Sequence, residues 1–209
     1  MRKLFLLLAL ALASASPLAA QSFGVRAGVN GTTVSYDDDG NDIDIDGETN
    51  LMLGLFLQLP LVGENTITLQ PELNYDNRSF ATEYDVSLGN INFSRDIAYL
   101  ELALLARLNL GDDEGLGFYV GAGPTLAYAV SGTTTTDLNG QRDLDFDQDR
   151  LNRGSFNFAG IAGLTFNIGG PKLFVEGRYN GSFSDQDELD DIEVRQRYFG
   201  VNGGIMVPL

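Results

Sequence analysis

The chain has 209 residues, 29 acidic against 13 basic side chains, a formal net charge of −16 at pH 7, and neither cysteine nor histidine. A nucleic-acid binder needs a basic footprint, which this composition lacks, and without cysteine there is no disulfide framework, lipidated N-terminus or thiol chemistry. Histidine is the general base whose unperturbed pKa lies near neutrality, so its absence removes the usual nucleophile–base arrangements and leaves carboxylate pairs as the only acid–base candidates.

Residues 1–20 read as a signal peptide. Arg2 and Lys3 form a positive n-region, residues 4–13 an apolar h-region, and residues 14–20 a small-residue stretch suited to cleavage after Ala20. Ten apolar residues fall short of the roughly 20 that a transmembrane helix needs. Cleavage leaves residues 21–209 as one domain, moves the formal charge from −16 to −18, and makes Lys172 the only lysine.

The mature chain then alternates with period two over eight stretches. Residues 23–30 set Phe23, Val25, Ala27 and Val29 against Gly24, Arg26, Gly28 and Asn30; residues 51–61 carry aliphatics on odd positions against Gly54 and Gln58. Residues 66–75 set Ile67, Leu69, Leu73 and Tyr75 against Thr68, Gln70, Glu72 and Asn74. Residues 97–110 set Leu100, Leu102, Leu104 and Leu108 against Tyr99, Glu101, Arg107 and Asn109. A helix competes over 100–110, but its charges do not recur at a 3.6 spacing. The remaining stretches are 116–130, 155–168, 173–184 and 196–209. In them Phe118, Val120, Val175, Tyr179, Phe199 and Val201 oppose Gly121, Thr125, Glu176, Arg178, Tyr198 and Asn202.

Connections 62–65, 111–115 and 169–172 are short, and the others are long. This pattern predicts an all-β fold, an eight-stranded antiparallel up-and-down transmembrane β-barrel with tight periplasmic turns and long outer loops. Phe23, Phe118 and Phe166 then fall at one membrane interface. Tyr75, Tyr128, Phe156, Phe158, Phe183 and Phe199 fall at the other, which separates the chain from a soluble sandwich or lipocalin-like barrel. Pro60, Pro71 and Pro124 cannot donate to a ladder, so a bulge or a skipped hydrogen bond is expected at Pro71 and Pro124.

An eight-stranded barrel has just enough interior for side chains. The inward Arg26, Glu72, Glu101, Arg107, Glu176 and Arg178, three of each sign, are therefore expected to pair with one another rather than line a pore. The competing use is a proton or small solute held by Glu72 and Glu101. In the loops, Asp42, Asp44, Asp46 and Gly47 match the first half of a calcium loop. Position twelve is Leu53 instead of the bidentate glutamate, and counting from Asp37 reaches Glu48 but puts Asp42 where glycine belongs. The alternative is that Ile43 and Ile45, like Leu144 and Phe146, mark strands projecting beyond the membrane with a solvated acidic face. Residues 77–95 and 133–136 read as plain solvated loops.

Residues 69–75 (Leu-Gln-Pro-Glu-Leu-Asn-Tyr), 99–107 (Tyr-Leu-Glu-Leu-Ala-Leu-Leu-Ala-Arg), 118–124 (Phe-Tyr-Val-Gly-Ala-Gly-Pro) and 174–179 (Phe-Val-Glu-Gly-Arg-Tyr) resemble, in order, the PorT-like outer-membrane β-barrel family typical of Bacteroidetes-type bacteria. Ala103 stands where that family often has proline. The resemblance implies an eight-stranded barrel without assigned activity in most members, the eponymous protein being linked to secretion. The expected protein is a monomeric, non-enzymatic barrel in the outer membrane of a Gram-negative bacterium, meeting outer-membrane lipid and the assembly machinery. Its long acidic loops would have a structural or surface-interaction role. The alternatives are an accessory of a secretion system and a lipid- or glycan-modifying enzyme that works with carboxylates alone.

Overall fold

The structure, a computed structural model, describes residues 22–38, 41–86, 89–111, 115–136, 140–146, 152–182 and 193–209. The signal-peptide expectation for residues 1–20 lies outside them. The elements are β1 (Ser22–Asp38), β2 (Asn41–Val62), a helical turn α1 (Gly63–Thr66), β3 (Ile67–Val86), β4 (Gly89–Gly111), β5 (Leu116–Thr136), β6 (Gly140–Asp143), β7 (Gly154–Asn167), β8 (Lys172–Ser182) and β9 (Glu193–Pro208). Neighbours pair antiparallel in the order β4-β3-β2-β1-β9-β8-β7-β5-β6, and β4 also pairs with β5. That last pairing closes a barrel of eight strands, and short β6 leans on β5 outside the ring. Closure removes the sheet edges, which is what lets strands cross a membrane with every backbone group paired.

The lipid and lumen faces follow the period-two pattern because successive strand side chains point to opposite faces. Val29, Leu53, Leu73, Leu104, Val120, Leu164, Val175 and Val201 face outward, whereas Arg26, Gln70, Glu72, Glu101, Arg107, Glu176 and Arg178 are buried in the lumen. Residues 100–110 are strand, not helix. Phe23, Phe118 and Phe166 face outward near the tight turns, and Tyr75, Tyr128, Phe156, Phe158 and Phe199, joined by Tyr179, do so toward the other end; Phe183 lies outside the described residues.

The tight turns are locally specified. Asn65, at φ 84°, lies in the left-handed region within the last turn of α1, and Asn109 Nδ2 pins its carbonyl at 2.7 Å. After β7, the amides of Gly169 and Gly170 donate to Asn167 Oδ1 at 2.9 and 3.2 Å, an Asx-type closure that leaves both glycines at positive φ. The prolines act through their missing N–H. The β2–β3 ladder keeps one register from Leu55 opposite Leu73 to Pro60 opposite Thr68, yet lapses across from Pro71. The β4–β5 ladder likewise lapses across from Pro124, between Ala103 opposite Thr125 and Ala106 opposite Ala122. Each proline pairs normally on its other side, with Leu104 and Phe158 respectively.

Two expectations about the loops are corrected. Residues 77–86 and 89–95 are not plain loop: they continue β3 and β4 as a paired hairpin from Asn77 opposite Ala98 to Val86 opposite Gly89. Residues 133–136 are also strand, laddered to β4 on one side and to β6 on the other. The backbone amides of these segments find partners in the neighbouring strand, so a polar composition does not prevent pairing. Aromatic rings fill the space that lumen glycines leave. Phe56 lies over Gly24, and an added Cβ at Gly163 would stand 2.5 Å from Tyr119 Cζ.

Candidate functional site: the lumen

Four arginines and four carboxylates are buried inside the barrel: Arg26 on β1, Glu72, Asp76 and Arg78 on β3, Glu101 and Arg107 on β4, Glu176 and Arg178 on β8. The strands deliver them from different walls onto shared centres. Glu72 sits between Arg26, whose Nη2 is 2.6 Å from Oε1, and Arg178, whose Nη1 is 2.7 Å from Oε2. Gln70 and Asn74 donate to the same carboxylate at 2.7 and 3.1 Å. Arg26 Nη1 also reaches Glu176 Oε1 at 2.8 Å, and the Tyr119 hydroxyl donates to Glu176 Oε2 at 3.0 Å.

Glu101 is the hub. Arg178 Nη2 lies 3.1 Å from Oε1, while Arg78 Nη2 (3.2 Å), Asn180 Nδ2 (2.9 Å), the Tyr198 hydroxyl (3.1 Å) and the Thr125 hydroxyl (3.4 Å) converge on Oε2. Asn180 also donates to the Tyr198 hydroxyl. Arg78 Nε holds Asp76 Oδ2 at 2.9 Å, and its guanidinium stacks 4.3 Å above the Tyr99 ring and 4.8 Å above that of Tyr198. Sequence alternation places the end of the third strand at Tyr75 and so leaves out Asp76 and Arg78. Continuing the alternation 70, 72, 74 by two further steps reaches both.

Arg107 departs from the expectation that the six inward charges pair among themselves. It donates from Nε to Asn109 Oδ1 at 2.7 Å and from Nη1 to Gln70 Oε1 at 3.0 Å, and it stacks 3.5 Å from the Tyr119 ring centroid. The Gln58 amide also faces this guanidinium; assigned with its oxygen toward the donors, it accepts from Nε at 3.1 Å. Neutral amides and a ring therefore solvate this charge, and Tyr119 relays it to Glu176. Beside it a polar recess of about 50 Å³ opens at the tight-turn end, lined by Gln58, Asn65, Arg107, Asn109, Thr165 and Lys172 among others.

Apolar groups stand on both sides of the charged layer. Phe56, Leu105, Tyr119, Ile161, Phe174 and Met206 cluster toward the tight turns, with Phe56 and Phe174 edge to face at 5.5 Å. At the outer mouth Ile97, Tyr99, Ala127 and Ala129 meet Leu144 and Phe146, which arrive from the segment after β6. Leu144 and Phe146, expected on a projecting strand with a solvated acidic face, are instead 8% and 4% exposed. The apolar alternation in that segment is satisfied by the barrel mouth rather than by a neighbouring strand.

Among the described residues no group of three His, Cys, Asp or Glu side chains is arranged to hold a metal ion. The candidate calcium ligands Asp42, Asp44 and Asp46 have side chains outside the described residues. Their backbone runs as strand, with Asp42 opposite Asp37 and Asp44 opposite Ser35.

The family model for the outer membrane protein beta-barrel domain matches residues 19–188. No curated protein matches the chain. Among solved structures the chain is similar to Ail, the attachment invasion locus protein of Yersinia pestis, at 14% identity over 90% of this chain and 99% of that one, TM-score 0.43. It is also similar to outer membrane protein OprG from Pseudomonas aeruginosa (15% identity, 91% and 97% covered, TM-score 0.46). A third is outer membrane protease OmpT from Escherichia coli (11% identity, 94% and 100% covered, TM-score 0.43).

Proposed function

The chain belongs to the outer membrane protein beta-barrel domain family and resides in the outer membrane of a Gram-negative bacterium; on that premise we propose that it is a closed, monomeric, non-enzymatic surface barrel. Its work is then done by the outer strands and acidic loops, in contact with outer-membrane lipid and after insertion by the assembly machinery, not by transport through the lumen. The observation that carries this reading is the charge-balanced network of buried arginines and carboxylates, flanked by apolar clusters. An ion crossing it would have to displace groups already engaged at 2.6–3.2 Å, in a region of low dielectric where an unpaired charge costs several kcal/mol. Purified barrel in a planar lipid bilayer should be electrically silent. A stable conductance above the bare bilayer would overturn the closed reading.

A second reading, an accessory role in secretion within a PorT-like branch, rests on the four motif runs between Leu69 and Tyr179. Deleting the gene should leave the profile of secreted proteins unchanged, and loss of one secreted class would favour the accessory role. For a carboxylate-only enzyme, a reactive pair would have to be open to substrate. Glu72, Glu101 and Glu176 are instead each held by arginine and at least one neutral donor.

A further inference from the structure

The outer mouth is filled by the protein's own chain in a manner that resembles a bound peptide. β6 adds to the edge of β5 through Thr133 opposite Asp143 to Thr136 opposite Gly140, with all four β6 residues exposed. The segment then turns into the barrel, where the Leu144 amide donates to the Gly132 carbonyl at 2.9 Å. Its two apolar side chains, two residues apart, enter a pocket of Ile97, Tyr99, Ala127 and Ala129. The Arg153 guanidinium lies 4.5 Å over the Phe146 ring, and the Arg153 carbonyl accepts from the Ala129 amide at 2.7 Å. Gly132 makes room for Leu144, since a Cβ there would stand 2.6 Å from Leu144 Cδ1.

We propose that this mouth is a docking site for an extended peptide segment bearing two apolar side chains at positions i and i+2, and that residues 140–146 occupy it as a built-in ligand. The parts are those of strand addition: main-chain bonds to a sheet edge supply affinity for any sequence, and pockets for alternate side chains supply selection. The β5 edge is ordered independently of β6, because Thr133–Thr136 also pair with Phe93–Asp96 of β4. Removing β6 therefore exposes a ready template next to an apolar pocket floored by two alanines. A partner with an aromatic residue at i+2 gains the Arg153 stack as well. The tether gives the built-in segment an effective concentration in the millimolar range, so a dilute peptide competes only when the anchors are weakened or the partner brings further contacts. This inference rests on the surface-interaction reading above and names its site.

The test uses the refolded full chain and a fluorescently labelled peptide with the sequence of residues 140–146. Leu144→Ser/Phe146→Ser barrel should bind the peptide at least tenfold more tightly than wild type does, and a peptide with both apolar residues replaced by serine should not bind. Binding no tighter than to wild type would overturn the proposal. Gly132→Cys/Leu144→Cys provides a second measurement that does not depend on the anchor-deleted variant folding. A Gly132 Cβ would lie 3.4 Å from that of Leu144, close to disulfide geometry, and the chain has no other cysteine. Because the Cβ of Gly132→Cys takes the room a leucine at position 144 needs, the peptide for this arm carries alanine there and keeps the phenylalanine; oxidised, this variant should exclude it, and reduced it should bind at least tenfold more tightly, whereas equal binding in both states would also overturn the proposal. A silent barrel that ignores the peptide refutes the docking site alone, whereas a conducting barrel refutes the closed reading whatever the peptide does.

Discussion

Glu101→Leu tests whether the lumen network is a sealed, mutually dependent unit. Glu101 is fully buried and receives Arg78, Arg178, Asn180, Tyr198 and Thr125, groups carried by β3, β8, β9 and β5. The leucine leaves Arg78 with Asp76 alone and Arg178 with Glu72 alone, so the lumen acquires a net positive charge, the Tyr198 and Thr125 hydroxyls lose their acceptor, and Asn180 keeps only the Tyr198 hydroxyl. Breaking a buried ion pair from one side costs about 3–5 kcal/mol. Glu101→Gln keeps an acceptor oxygen and should cost less, near the ~1.5–3 kcal/mol of a hydrogen bond to a charged group. Glu101→Leu/Arg178→Met restores neutrality, so the pair should cost less than the sum of the single changes by ~1–3 kcal/mol. The chain contains no tryptophan, so urea unfolding from lipid vesicles is followed by far-UV circular dichroism and by the gel mobility of the folded form. A Glu101→Leu cost below ~0.5 kcal/mol, typical of a solvated surface site, or strict additivity of the two changes, would refute the sealed network.

Leu104→Arg and Val201→Arg, on the lipid face near mid-strand, should each lose about 2–4 kcal/mol of folding free energy in the same assay, and tolerance would reverse the face assignment. Thr68→Arg should fail for a different reason, because Thr68 stands directly across from Arg107, and adding Arg107→Gln should recover part of the loss. Gly163→Ala pushes a methyl to 2.5 Å from Tyr119 Cζ and 2.6 Å from its hydroxyl, so it should cost ~1–3 kcal/mol; Gly177→Ala, with nothing nearer than 3.8 Å, should be close to neutral. Calcium titrated into wild type and into Asp44→Asn/Asp46→Asn should release equal heat. A strand keeps same-face residues about 7 Å apart, whereas calcium gathers its oxygens at roughly 2.3–2.6 Å. A saturable sub-millimolar heat lost in the variant would establish a cation site.

Strand identity, lipid face and barrel closure were legible because the bilayer imposes one rule on every strand: alternate residues meet hydrocarbon. Val25, Leu53, Leu73 and Val201 obey it whatever their neighbours do, so period two in the sequence is period two in the fold. Beyond the membrane the rule lapses. Thr133–Thr136 look like loop by composition, yet the hydrogen-bonding needs of the backbone are the same there, and β4 and β6 meet them. The same lapse hid Asp76 and Arg78, which sit one step past the last lipid-facing aromatic, Tyr75, where hydrophobic alternation stops reporting but the strand goes on.

The lumen was less legible because alternation states which side chains share a face and is silent on what that face meets. Leu144 and Phe146 share a face in either arrangement, a projecting strand or a segment folded into the mouth, and the small Ala127 and Ala129 on β5, the strand that β6 joins, leave the space that decides between them. Arg107 shows the same limit in charge. It is one of several arginines on inward positions, yet it meets Asn109 on its own strand and Gln70 and Tyr119 on the two neighbouring strands rather than a carboxylate, whereas Arg178 on β8 reaches across the lumen to Glu72 on β3 and Glu101 on β4. Which inward charge meets which partner is fixed by the stagger of all eight strands together, a quantity no single strand's sequence contains. The interior of a small barrel is therefore the part of the fold where closure, rather than local pattern, writes the chemistry.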